Sequence, residues 1–416
     1  MKSIIRHNKK NVLVLELVIF ILLSLVYNYI IKDVFDYMGF VGEPETQKIL
    51  IGIGVFFFLI VLGATIKDEF YYAVWHISFI ILIIGQIIYY QYSNGLFGPV
   101  LGNSIFLLVL YLFSFIKLRF KNIAIKGKPL NLILITATFL FMPIFIRYYG
   151  HVNFNNFLLQ DIYESRLYFR GFDDKYFGYL RAPLSRVILP SLLIIGLIGR
   201  KSWLVLLSLF MISFIFLVGA LKSIFIGMIA AILFYLGKTY LDKVYIVLNL
   251  FFGLTFFGLI VFSISGNVFL VDALVRRTLF IPAMLDNYYY ELFTNRPLYW
   301  SHNFFGEIFY DYPLDRPPNM YLGEVILQKP GMSANVGIVT EGYFSFGYIG
   351  VFLQSIIIAF IFLILRAIRI KPVFFGLIFV YIYYINTSFL TVLLLTHGLI
   401  FFLIFAFLFL NKNYEG

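Results

Sequence analysis

The chain has 416 residues, of which 62% are hydrophobic, 20% aromatic and only 13% charged, with a formal net charge of +11. A mean hydropathy of +0.93 excludes a soluble fold, because so few charges cannot cover so much apolar surface. Cysteine is absent, which excludes disulfides, thiolate metal sites and cysteine nucleophiles.

Crossing an apolar core about 30 Å thick takes roughly 20 helical residues, and the apolar runs predict an all-α polytopic membrane protein with about twelve transmembrane helices. The basic stretch from Lys2 to Lys10 leads into the first run, Val12 to Tyr29. It resembles a signal peptide, but no small-residue cleavage site follows, so it reads as a retained span. Next come Ile49 to Ile66, Tyr71 to Tyr90, Pro99 to Ile116 and Asn131 to Tyr148. A polar stretch intervenes before Pro183 to Gly199, Trp203 to Val218, Ser223 to Leu236 and Tyr245 to Ile264. After a longer polar stretch the last three are Phe346 to Leu365, Val373 to Leu390 and Thr391 to Leu410. No internal repeat is visible, so residues 1–416 read as one integral membrane domain.

Lys and Arg in short loops resist translocation and set orientation. They gather on one set of connections: the N-terminus, Lys67, the cluster from Lys117 to Lys128, Arg200 with Lys201, Lys238 with Lys243, Arg366 to Lys371, and Lys412. That set reads as cytoplasmic, with both termini inside. The net positive charge is thereby explained by topology and anionic lipid, with no nucleic-acid partner. Two larger loops face outward, residues 147–182 and 265–345. The missing cysteines make this testable: a single Cys at Asp315 should react with an impermeant maleimide in intact cells, and one at Lys126 only after lysis. Labelling at Lys126 from outside would reverse the orientation.

In the outer loops, arginines are roughly balanced by Asp173, Asp174, Asp286, Glu291, Asp311 and Asp315. Positive charge there runs against the positive-inside tendency and points to a local use. In the first loop, Asn155 or Asn156 can cap a helix carrying Arg166 and Arg170 four apart on one face. Two guanidiniums in register can hold an anion, or can meet lipid phosphates from an interfacial helix. Arg147, Arg181 and Arg186 near span ends can snorkel. The second loop opens with Arg276 and Arg277 and continues through Tyr288, Tyr289 and Tyr290 beside Glu291. A guanidinium fork matches phosphate or diphosphate oxygens, and tyrosines offer faces and hydroxyls to sugars or to the bilayer interface. Asp311, Pro313, Asp315 and Arg316 read as a rigid surface turn.

Five histidines show no metal-ligand spacing, and no phosphate-cradling loop, dinucleotide fingerprint or nucleophile elbow occurs. His302 is either a base or a solvated hydrogen-bonder. His397, in the last span, either bonds a neighbouring helix or lines a cavity. Lys222, in the small-residue turn GALKS, either snorkels or points toward the site.

GALKS, then RRTLFIPAMLDNYYYELF, WSHNFFG and SANVGIVTEGYFSFGYIG, in that order, resemble the Wzy-type O-antigen and capsular repeat-unit polymerases. The arrangement covers most of the chain, and the specific match runs from Gly219 to Gly350. The family commonly has arginine where Lys222 stands, and lysine lacks the fork. The resemblance implies a metal-independent, GT-C-like membrane glycosyltransferase without cofactor, at the outer face of a bacterial cytoplasmic membrane. It implies undecaprenyl-diphosphate-linked oligosaccharides as donor and acceptor, with a chain-length regulator and a flippase as protein partners. In that scheme Arg277, Arg276, Arg166, Arg170 and Lys222 meet the diphosphate. Glu341 is the first candidate for the base and His302 the second. Asn335 caps a helix or bonds sugar, Tyr288 lines the site, and Gly337, Gly342, Gly347 and Gly350 permit close packing. The alternatives are an O-antigen ligase, with the same donor, and a lipid-linked oligosaccharide flippase, which should carry charges deep in its spans.

Overall fold

The computed structural model describes residues 8–120, 129–158, 164–165, 168–169 and 175–410, and every regular element among them is helical. In chain order the helices are α1 (Lys9–Val34), α2 (Thr46–Ala64), α3 (Glu69–Tyr92), α4 (Phe97–Phe113), α5 (Leu130–His151), α6 (Phe177–Ile198) and α7 (Ser202–Gly219). They continue with α8 (Ser223–Tyr235), α9 (Tyr240–Ser265), α10 (Ile281–Phe293), α11 (Ile338–Ile368), α12 (Pro372–Ile385) and α13 (Leu399–Phe409).

Eight of these are long and apolar enough to cross a membrane: α1, α2, α3, α5, α6, α7, α9 and α11. Four other expected spans, α4, α8, α12 and α13, are apolar helices of 10–17 residues. Turns inside the expected runs shorten two of them: Asn386 and Thr387 end α12, and His397 and Gly398 delay α13. Ala220 (φ 48°) interrupts the backbone ahead of α8, and Gly398 (φ 76°) ahead of α13.

The chain divides into two compact units. One comprises 1–117, 240–363 and 382–390; the other comprises 118–239, 364–381 and 391–416. In the first, α1 and α3 both pack against α9, and α2 packs against α3. The 18-residue apolar window of α3 is wholly buried, making it the central helix of that unit. A Cβ on Gly63 would collide with the Trp75 ring, so glycine is what lets α2 approach α3 this closely. In the second unit α6 packs against α7 and α8.

Candidate functional site

The site is built in the first unit around a break in α11. Phe346 (φ −144°, ψ 25°) and Gly347 (φ 61°, ψ −149°) are non-helical, so residues 338–345 form a half-helix separate from the spanning part. The Gly347 conformation is one that only glycine adopts readily. The two parts fold back on each other closely enough that a Cβ on Gly342 would sit 2.7 Å from the Gly350 carbonyl oxygen, and one on Gly350 would collide with the Gly342 carbonyl.

A loop segment bonds to the end of this half-helix. Leu298 N donates to Phe344 O (2.8 Å) and Tyr299 N to Ser345 O (3.0 Å). Tyr299 and Trp300 then take positive φ values of 47° and 60°, an unusual pair for bulky residues. With its amide turned to suit both neighbours, Gln354 accepts from Trp300 Nε1 (3.0 Å) and donates to Ile338 O (2.5 Å). The turn delivers His302 onto Glu341.

His302 Nε2 lies 2.9 Å from Glu341 Oε1, and Glu341 Oε2 accepts from Leu390 N at 2.5 Å. The two side chains are 2% and 0% exposed, and the rings of Phe344 and Phe389 flank the imidazole with centroids 5.0 and 5.4 Å away. A carboxylate acceptor requires the proton on Nε2, which leaves the lone pair on Nδ1. Nδ1 is buried and has no partner among the described residues. Both candidate bases therefore meet, in unequal positions: Glu341 has both oxygens occupied, and His302 keeps an open acceptor. An imidazole nitrogen left as an acceptor in this way is able to take a substrate proton.

The arginine pair is also divided. Val271–Phe280 is π-helical, a wide turn frequent at functional sites. Asp272 stands between the two guanidiniums, 2.6 Å from Arg276 Nε and 3.2 Å from Arg277 Nε. Arg276 further lies 4.0 Å over the Phe35 ring, with Nη1 3.0 Å from Met38 Sδ, and is 5% exposed. Arg277 is 37% exposed. Successive helical side chains diverge by roughly 100°, so one arginine is packed into a wall while its neighbour reaches outward.

The remaining candidates are scattered. Tyr288 is half-buried with its hydroxyl against Gly39. Tyr289 and Tyr290 are buried: Tyr289 donates to Ala334 O (3.1 Å) and Tyr290 stacks on Tyr343 with centroids 3.7 Å apart. These two are core residues of the unit, where an interfacial tyrosine run would leave them exposed. Asn335 Oδ1 accepts from Asn319 Nδ2 (3.1 Å) and Ser333 Oγ (2.9 Å) and ties a loop together. Arg316 bonds Asp315 (2.8 Å) and Glu324 (2.6 Å), and its hydrogen bond holds the Asp315 carboxyl below its ordinary value.

In the second unit, Arg166 and Arg170 lie outside the described residues, as do Asp173 and Asp174. Lys222 opens the helix that follows Ala220, and its side chain lies outside the described residues. The helix expected after Asn155 and Asn156 falls mostly outside the described residues; before it, Phe154–Leu158 is a 3-10 turn, in which Asn156 is buried and donates to Leu217 O (2.7 Å) and Asn155 N donates to the Asn153 side chain (3.0 Å). His397 bonds a neighbouring helix, with Nδ1 2.7 Å from Arg186 Nη1.

Asp286 is a residue that charge balance alone could not place. It is 3% exposed, accepts from Thr340 Oγ1 at 2.6 Å and from Gln86 Nε2, and so links α10 and α3 to the residue preceding Glu341. Burial pushes its carboxyl from 3.8 up to about 7, against the lowering effect of those two bonds. Between those values the folded chain holds a proton that the unfolded chain has lost. The stabilisation from Asp286 is therefore complete below pH 3.8 and lost as pH rises to about 7. Asp286→Asn should flatten thermal stability across that window, with the free Gln86 Oε1 available to accept the new amide. An unchanged pH slope in the variant would show that Asp286 ionises normally.

No family model, curated protein or solved structure matches the chain. Among the described residues, no three His, Asp or Glu side chains are grouped to hold a metal ion.

Proposed function

We propose that the chain is a membrane glycosyltransferase of GT-C-like build, with the shorter apolar helices completing about twelve passes. It joins lipid-diphosphate-linked oligosaccharide repeat units at the outer face of the cytoplasmic membrane. The observation that carries this reading is the buried His302–Glu341 pair with Nδ1 left as an open acceptor. His302 Nδ1 takes the proton from an acceptor sugar hydroxyl, and Glu341 holds the ring and stabilises the imidazolium that forms. The hydroxyl oxygen bonds to the anomeric carbon of the donor as the bond from that carbon to the diphosphate breaks. The electron pair leaves with the lipid diphosphate, whose developing charge Arg277 stabilises through its planar fork. Arg276, held by Asp272 and Phe35, positions that segment.

Arg277→Ala should abolish polymer, and Arg277→Lys should restore little, because a point charge cannot form two parallel hydrogen bonds. Full polymer in Arg277→Ala at normal protein level would remove it from the reaction.

A second reading, a lipid-linked oligosaccharide transporter, is favoured by one observation: an ionisable pair, Glu16 and His76, is fully buried inside spanning helices. Two experiments separate the readings. A strain lacking a polymerase should display at most one repeat while lipid-linked single repeats accumulate; one lacking a transporter should trap them on the cytoplasmic leaflet. Purified protein given lipid-linked repeats in EDTA should yield a ladder with one-repeat spacing, and failure to extend them in active membranes would sink the polymerase reading.

A further inference from the structure

The first unit holds a second carboxylate–imidazole pair that the reaction above does not use. Glu16 in α1 and His76 in α3 have no solvent exposure, and Glu16 Oε1 lies 2.6 Å from His76 Nδ1. Each is seven positions into its helix, about 10 Å along the axis. Both helices begin on the side that the Lys and Arg pattern makes cytoplasmic, so the pair sits at hydrocarbon depth.

Ionisable groups taken out of water there are stable only when their remaining lone pairs and protons are matched. Here they are not. Glu16 Oε2 and His76 Nε2 are buried without a partner among the described residues, as is the hydroxyl of Tyr72 one turn earlier, whose ring lies 4.1 Å from the imidazole. Glu341 offers the contrast, because that carboxylate fills both oxygens with protein donors.

Proton number decides the energetics. With two protons, an imidazolium stands beside a neutral acid with no counter-charge; with none, a carboxylate stands beside a neutral ring. With one, the proton is shared across the 2.6 Å contact and net charge cancels. We propose that Glu16 and His76 form an intramembrane proton-binding site that takes up and releases a proton between α1 and α3, with Glu16 Oε2 and His76 Nε2 as the ends open to exchange.

The charged and titratable surroundings fit a route from the cytoplasmic end. From α1, Lys9 Nζ lies 4.4 Å over the Tyr72 ring and bonds Ile66 O. From α9, which packs on both helices, come Tyr245, bonded to the Asn8 backbone, Lys243, buried in the first turn beside Asp242, and Tyr240 against Phe70. Asp68 and Glu69 begin α3. The titratable groups of α2 and α4, Lys48 and Tyr111, point elsewhere, to Ser93 O and to Thr65.

The test is an infrared pH titration of the purified full chain in H2O and D2O. Besides the band that Asp286→Asn removes, a second protonated-carboxyl band should titrate in the wild type, vanish in Glu16→Gln, and move its midpoint by about one pH unit or more in His76→Gln. A second band that survives Glu16→Gln, or one unmoved by His76→Gln, overturns the proposal. Should either variant fail to fold, ring-nitrogen NMR of labelled histidine in the wild type decides. The His76 signal should titrate with the band, and one that is constant from about pH 5 to about pH 9 overturns the proposal.

Discussion

His302→Ala is expected to cut the rate of ladder formation by about 10²- to 10⁴-fold, the usual contribution of a positioned general base, while the protein still reaches the membrane at normal level. The imidazole packs edge-on to Phe344 and Phe389, so truncation also leaves a small cavity and an unpaired Glu341 oxygen. His302→Gln, which keeps a donor for that oxygen, separates packing from chemistry: it should recover thermal stability and leave the rate low. Glu341→Gln should slow the reaction less than His302→Ala, because the amide still accepts from Leu390 N but no longer stabilises an imidazolium. It should also move the acid limb of the rate–pH profile, a readout that loss of packing alone does not produce. Wild-type rates in His302→Gln would assign the base elsewhere.

Gly350→Val is expected to cause the largest loss of folded protein of any single change in the site. Its Cβ would collide with the Gly342 carbonyl, and both partners are backbone, so neither can swing aside. Overpacking of this kind costs about 1–3 kcal/mol or more. Gly347→Ala should lose a similar amount for a different reason, since its φ of 61° with ψ of −149° strains any residue bearing a Cβ. Gly54→Ala is the control. Nothing lies within 4 Å of the added atom, and a mid-helix alanine there should be neutral or slightly stabilising. Thermal unfolding of the purified variants in one detergent measures all three, and an unfolding midpoint for Gly350→Val equal to that of the wild type would mean the fold-back of α11 is wrong.

The sequence by itself determined that this is an all-helical, multi-pass chain, because apolar runs about as long as a bilayer is thick have no other stable use. Gly337, Gly342 and Gly350 announced close packing for the same kind of reason, a missing Cβ that leaves a mark in the sequence, whereas Gly347, expected to pack like them, has nothing within 4 Å of that position and is glycine for its backbone angles. Helix length escaped it. Hydropathy continues through Asn386 and Thr387 and through His397 and Gly398, where the backbone turns, since an apolar turn buried in protein looks like helix to a sliding window.

Only the tertiary structure brought His302 and Glu341, 39 residues apart, into one hydrogen bond and showed which keeps a free acceptor. It also divided Arg276 from Arg277, because burial depends on what the other helices place around each side chain. Asp286, Glu16 and His76 belong to the same class. Each is an isolated polar residue in an apolar or mixed run, and its meaning resides in a partner contributed by a distant segment: Gln86 for Asp286, and His76 and Glu16 for each other. Periodicity and composition report what a residue does to its own helix. Pairing across helices is fixed by how the helices pack, and that information is long-range.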